Sequence, residues 1–201
     1  MTLNIAVLAS HNGTTLQAVL DACALGTLPA RVGLVLSNNG DSGALQRART
    51  VGVRAAHLSG RTHSEPNDLD HAICAALDES EAQLILLAGY MKKLGPKTLA
   101  SYARRIINTH PALLPRHGGQ GMFGMHVHRA VLAAGDTESG ASVHIVEGNY
   151  DTGPVLAQCR VPVLPNDSAE ELAGRVQASE RLLLVDVLRE IATGARPLPL
   201  A

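Results

Sequence analysis

The chain has no tryptophan, a single phenylalanine and three tyrosines, so aromatic residues make up only 2% of its 201 positions. Hydrophobic residues nevertheless reach 46%. The core must therefore be filled by Ala, Val, Leu and Ile, which suits a helix-covered parallel sheet. An excess of charge of either sign is also lacking: 17 basic against 18 acidic residues leave a formal net charge of −1. Such a balance offers no electrostatic footprint for nucleic acid or for a membrane surface. No apolar run approaches the roughly 18 residues of a membrane span. Met1-Thr2-Leu3-Asn4 lacks the basic start of a signal peptide and runs straight into a strand, so a cytoplasmic protein is expected. The three cysteines, Cys23, Cys74 and Cys159, form no C-x-x-C pair and lie in apolar segments. They read as buried free thiols, with no adjacent base or helix N-terminus to make one a nucleophile. Nine histidines raise the question of a metal. His126-x-His128 and His117 are close in sequence, but helical positions two apart diverge by roughly 200°. No carboxylate has ligand spacing, so no metal site is expected. The length suits a single domain, and no repeat, low-complexity tract or linker divides it.

What is present is an alternation of short aliphatic runs with helical patterns. Asn4 to Leu8 reads as the first, central strand, followed by a helix with Leu16, Val19, Leu20 and Cys23 on one face. Val32 to Leu36 is a second strand, Ala44 to Val51 a helix, Val53 to His57 a short strand and residues 59–68 a polar surface loop. A helix around Leu69 to Leu77 leads to strand Leu84 to Leu87. Further on, His126 to Ala134 reads as a helix, Ala141 to Val146 and Val155 to Val163 as strands around a hairpin loop, and Ser168 to about Ala192 as a final helix. Its apolar stripe is Leu172, Val176, Leu183, Val187 and Ile191; Glu180 lies off it and reads as solvent-exposed. This is the pattern of a doubly wound, mostly parallel α/β sheet, with ligands expected at the carboxyl ends of strands.

Three strand exits are polar: Ser10 to Thr15, Ala88 to Leu94, and Asn108 to His110. The first is a short polar turn with Gly13 before a helix, where free backbone N–H groups and the helix dipole favour a phosphate. It is neither G-x-G-x-x-G nor a P-loop, which excludes those nucleotide motifs. An ordinary βα turn with a Thr or Asn cap is the alternative. The third exit, Ile106 to Pro115, is an apolar run ending in two prolines. Asn108 and His110, two apart on a strand, point to one face and can together hold a developing oxyanion; capping a turn is the plainer use of the same pair. His117 to Gly124 holds four glycines in eight residues and reads as a mobile loop or lid.

Ser10-His11-Asn12-Gly13-Thr14-Thr15-Leu16-Gln17, Ala88-Gly89-Tyr90-Met91, Asn108-Thr109-His110-Pro111-Ala112-Leu113-Leu114-Pro115 and Asp151-Thr152-Gly153-Pro154-Val155 come in a familiar order. From about Leu3 to about Ile191 the chain resembles the phosphoribosylglycinamide formyltransferases, folate-dependent enzymes of purine synthesis with a Rossmann-like formyltransferase fold. The resemblance implies a phosphate-binding N-terminal half, about 1–100, and a folate-binding and catalytic half, about 101–192. It implies 10-formyltetrahydrofolate as co-substrate, glycinamide ribonucleotide as acceptor, and a monomer or weak homodimer. The family's catalytic trio falls on Asn108, His110 and Asp151, and its phosphate contacts on Gly13, Thr14 and Thr15. Its folate pocket matches Met91, Lys92, Lys93 and Leu94 with Asn108, closed by the loop Glu147 to Asp151. Glu180 matches a carboxylate that contacts the ribonucleotide. Four positions depart from the usual pattern: His11, Thr15, Lys93, and Pro66 in place of a basic residue.

Formyl transfer from an amide-like nitrogen to an amine passes through a tetrahedral oxyanion, which suits these side chains. Asn108 can donate to the oxygen, and His110 can donate and protonate the leaving nitrogen if Asp151 keeps it cationic. Alternatives are a related formyltransferase with another amine, a formyltetrahydrofolate hydrolase, and a catalytically silent folate- or nucleotide-binding module. The resembling hydrolases carry an added N-terminal domain and the tRNA enzymes an added C-terminal one. A chain that starts at the first strand and stops after one helix is expected to be neither.

Overall fold

A computed structural model describes residues 2–201. The backbone forms two compact units, one running up to Ile107 and including Leu188–Ala201, the other Asn108–Val187. In the first, β1 (Leu3–Leu8), β2 (Ala30–Ser37), β3 (Arg54–His57) and β4 (Leu84–Leu87) alternate with α1 (Thr14–Ala24), α2 (Gly43–Thr50), α3 (Pro66–Glu79) and α4 (Pro96–Ser101). β5 (Ile106–His110) leaves the first unit and enters the second, which holds α5 (Met125–Ala133), β6 (Glu138–Ile145), β7 (Val155–Pro162) and most of α6 (Ala169–Ala192). The strands form one seven-stranded sheet in the order β3-β2-β1-β4-β5-β6-β7. β1 pairs in parallel with β2 and β4, and β2 with β3, while β6 and β7 form an antiparallel hairpin. This is the doubly wound α/β fold that the sequence predicts, with its switch point between β1 and β4.

Composition explains the layers. Every residue of β1 and β4 is buried, and all but Asn4 are apolar, as suits strands covered by helices on both faces. β7, at the sheet edge, is mostly exposed or half-buried. Packing beneath α6 is aliphatic: Val131, Ala141, Val161, Leu172 and Val176 form one cluster.

Several boundaries differ from expectation. α3 begins at Pro66, so the loop read over 59–68 loses its last residues to a helix; proline suits the first helical position, where its missing N–H costs nothing. α4, six residues again opened by a proline, was not anticipated, since it is too short to show a period. It is held from outside: Asp70 on α3 accepts hydrogen bonds from Lys97 N (2.8 Å), Thr98 N (3.1 Å) and the Thr98 hydroxyl (2.6 Å). α6 starts with a capping box, Ser168 Oγ accepting from Glu171 N while Glu171 Oε2 accepts from Ser168 N. On α6, Leu183 is only half-buried, and Leu184 and Glu180 take the buried face instead. Cys74 is buried as expected, but Cys23 and Cys159 are only partly so. Burial still pushes both of those thiols up, away from the reactive thiolate.

Candidate active site

At the switch point, the residues leaving β1 are tied to those leaving β2 and β4. The Ser10 hydroxyl donates to Asn38 Oδ1 (2.5 Å) and accepts from Met91 N (2.8 Å), and Ser10 N donates to Gly89 O (3.1 Å). The turn between Ser10 and α1 is fixed against α2. Ala44 N donates to His11 O, and Arg47 Nε donates to Asn12 O. Gly13 ends the turn in the left-handed region (φ +70°), where a Cβ would stand 2.8 Å from Ala44 Cα. Glycine is required there on both counts. Gly13 is also the N-cap of α1, and no side chain caps the helix. The Thr or Asn cap offered by the plainer reading is absent, which leaves Thr14 and Thr15 at a bare helix start. His11 and Thr14 are exposed and Thr15 is half-buried. Of the predicted folate segment, Met91 is bound to Ser10 through its backbone, Leu94 is buried, and Lys92 and Lys93 are exposed.

In the second unit, β5 delivers alternate side chains to two places, as its period of two requires. Asn108 and His110 go to one cluster. Asn108 Nδ2 lies 3.1 Å from His144 Nε2, His144 Nε2 lies 3.4 Å from Asp151 Oδ1, and Asp151 Oδ2 lies 3.5 Å from His110 Nδ1. The predicted trio is therefore brought together, with His144 at its middle. Sequence reasoning missed His144, which sits in a strand of mostly small residues with no motif around it. Its Nδ1 faces Ile145 O at 3.0 Å. Asp151 has φ +55°, a conformation carried by the Glu147 to Asp151 loop, and its side chain is 10% exposed. The turn after β5 is held by Ser142, whose hydroxyl donates to Ala112 O (2.6 Å) and accepts from Leu114 N (3.1 Å).

The loop expected to be mobile is tethered at its start. His110 Nε2 lies 2.7 Å from His117 O, and Gly119 N donates to Asp151 Oδ2 at 2.9 Å. Only a protonated Nε2 can serve a carbonyl, so the neutral ring carries its hydrogen there and leaves Nδ1 open beside Asp151. Burial is the largest influence on His110 and prevails over Asp151 and the His117 carbonyl, so its pKa falls below the ordinary imidazole value. The condition that Asp151 keep this ring cationic is therefore opposed by its burial, because a buried cation loses more to desolvation than one carboxylate returns. Burial works to raise Asp151, but the His144 hydrogen bond, the charge of His110 and the Gly119 N–H outweigh it and hold the carboxyl below its usual range.

Thr109 points the other way, and its hydroxyl donates to Glu180 Oε1 at 2.8 Å. Glu180 is 8% exposed, which overturns the reading of a solvated residue. It lies four residues after Val176 and four before Leu184, on the buried face of α6, where a stripe read from apolar letters leaves a gap. Burial pushes its pKa up, against the pull of Thr109 and Arg181. His126 is exposed and His128 buried, and no group of three His, Cys, Asp or Glu among the described residues could hold a metal ion. Among those residues no helix is long and apolar enough to cross a membrane.

The family model described as formyl transferase matches residues 3–188. This chain belongs to the formyl transferase family. Among curated relatives of this formyl transferase, the phosphoribosylglycinamide formyltransferase of Escherichia coli (strain K12) is 37% identical over 192 residues, 96% of this chain and 88% of its own. The enzyme of the same name from Mycobacterium tuberculosis (strain ATCC 25618 / H37Rv) is 39% identical, over 94% of this chain and 85% of its own. Among solved structures, glycinamide ribonucleotide transformylase 1 from Symbiobacterium toebii superposes with a TM-score of 0.89 at 36% identity, covering 96% of this chain and 89% of that one. A formyltetrahydrofolate deformylase from Pseudomonas syringae shares the fold at 23% identity.

Proposed function

We infer that this chain is a phosphoribosylglycinamide formyltransferase. It moves the formyl group of 10-formyltetrahydrofolate to the amine of N1-(5-phosphoribosyl)glycinamide, giving the N-formyl product and tetrahydrofolate in de novo purine (IMP) synthesis. The observation that carries this reading is the cluster of Asn108, His110, His144 and Asp151 in a member of the formyl transferase family.

The amine nitrogen attacks the formyl carbon, and a tetrahedral oxyanion forms. Asn108 donates to that oxygen. The amine proton goes to His110, whose open Nδ1 faces Asp151, so the imidazolium forms beside a carboxylate already ionised. His110 then returns the proton to the folate nitrogen as the C–N bond breaks, and tetrahydrofolate leaves. No covalent intermediate is needed, and most of the rate comes from holding two substrates in register. The resting neutral ring suits this cycle, since it can accept the proton it later gives. We assign the ribonucleotide phosphate to Gly13, Thr14 and Thr15 at the uncapped start of α1, and the ribonucleotide also to Glu180. Folate is assigned to Met91, Lys92, Lys93, Leu94 and Asn108, with the loop ending at Asp151 closing on it. The whole chain works as one formyltransferase domain in the cytoplasm, as a monomer or weak homodimer.

Purified protein, 10-formyltetrahydrofolate and glycinamide ribonucleotide should release tetrahydrofolate only when the ribonucleotide is present, and His110→Ala should abolish it. Release without the amine would identify a hydrolase instead. Folate binding without turnover would leave the silent binder.

A further inference from the structure

The segment Arg116 to Gly119 makes two hydrogen bonds to the reacting cluster. Its His117 carbonyl is the acceptor for His110 Nε2 (2.7 Å), and its Gly119 N–H is a donor to Asp151 Oδ2 (2.9 Å). Between them, Gly118 lies so close that a Cβ would stand 2.5 Å from Leu114 Cδ2 and 3.3 Å from Asp151 Cβ. His117 itself has φ +53°, a conformation that a β-carbon disfavours and that an anchor must hold. The anchor is visible: His117 Nε2 donates to Asp136 Oδ2 at 2.7 Å, with the Arg116 guanidinium 3.4 Å from the other oxygen of the same carboxylate. Asp136 follows α5, at the turn into β6.

We propose that Asp136 and His117 are positioning residues: the Asp136 carboxylate fixes the His117 ring so that the His117 carbonyl is presented to His110 Nε2. The consequence is chemical as well as steric. An acceptor at Nε2 decides which nitrogen keeps its hydrogen, leaving Nδ1 as the base, and it favours the protonated ring during turnover. The other groups acting on His110 are Asp151, which favours its proton, and His144, His117 and the desolvation of the site, which oppose it. Around His117 the charged neighbours are Asp136 and Arg116. The link from this anchor to turnover rests on the formyl-transfer reading, whereas its link to His110 does not.

Asp136→Ala and His117→Ala test it by turnover, and Asp136→Ala also by titration. In steady-state formyl transfer, kcat should fall about ten-fold or more while both KM values stay within about two-fold, because misplaced proton-transfer geometry costs rate rather than binding. In free Asp136→Ala protein, where the His117 ring and its opposing charge are kept, the NMR titration midpoint of the His110 ring should move down as the carbonyl acceptor is lost. Asp136→Asn keeps an acceptor oxygen for His117 and should recover most of both losses, which a general packing defect would not. An unmoved His110 midpoint in folded Asp136→Ala protein would overturn the proposal. So would a raised KM with kcat unchanged. If glycinamide ribonucleotide proves not to be the acceptor, the titration still decides the anchor by itself.

Discussion

Thr109→Val is the most informative single change in the second unit. It keeps the shape of a β-branched side chain on β5 and removes only the O–H that Glu180 accepts. A hydrogen bond to a charged group stabilises by about 1.5–3 kcal/mol, and one between neutral groups by about 0.5–1.5 kcal/mol. The loss should therefore depend on pH. Burial places the native pKa of Glu180 above that of the unfolded carboxyl. The native state then holds this proton more tightly, so the contribution of Glu180 to stability is fully present below the unfolded pKa. It is lost as pH rises through the native value. Removing the Thr109 donor, which favours the ionised form, raises the native pKa further and steepens that decline. Urea unfolding should show a deficit of about 0.5–1.5 kcal/mol where Glu180 is protonated, growing to about 1.5–3 kcal/mol as pH rises through its native value. If Glu180 contacts the ribonucleotide, the KM for that substrate should also rise several-fold while the KM for folate holds. A deficit that stays constant as pH rises through the native Glu180 value would refute a carboxylate held by Thr109.

Asp151→Asn should lower kcat/KM by about 100-fold or more, the usual share of a group that stabilises a proton-transfer partner. Loss of less than about ten-fold would sink its role. Because the native pKa of Asp151 is depressed, its contribution to stability is present above the unfolded carboxylate pKa and is lost as pH falls through the native value. The Asn variant should accordingly lose part of the acid-side slope in the same urea series. Gly13→Ala should cost about 1–2 kcal/mol for the left-handed backbone and a further 1–3 kcal/mol for the crowding against Ala44. A rise in KM confined to the phosphate-bearing substrate would place that phosphate at the start of α1, and an unchanged KM would remove it from there.

The fold was legible because its signal is local. β1, β2 and β4 are aliphatic runs bounded by polar turns, and the helices between them carry a 3.6 period, so the alternation could be read without knowing what touches what. α4 escaped because six residues hold no period and its first turn is stabilised by Asp70 from another helix. The site was legible in part. Asn108 and His110 share a strand, so their common face follows from spacing, and the resemblance supplied Asp151 from a loop whose composition alone marks a turn.

The sequence by itself determined an aliphatic doubly wound sheet, the polar strand exits and the chemical types gathered at them, because these follow from composition, period and order along the chain. Only the tertiary structure decided the protonation and company of those residues. It put His144 between Asn108 and Asp151, turned Glu180 inward onto Thr109, and set the His117 carbonyl against His110. It also left His110 neutral at rest, since burial outweighs one carboxylate. Desolvation and hydrogen-bond partnership depend on residues 7 to 71 positions apart in the chain, as His110 with His117 and Thr109 with Glu180 illustrate. No local pattern carries that information.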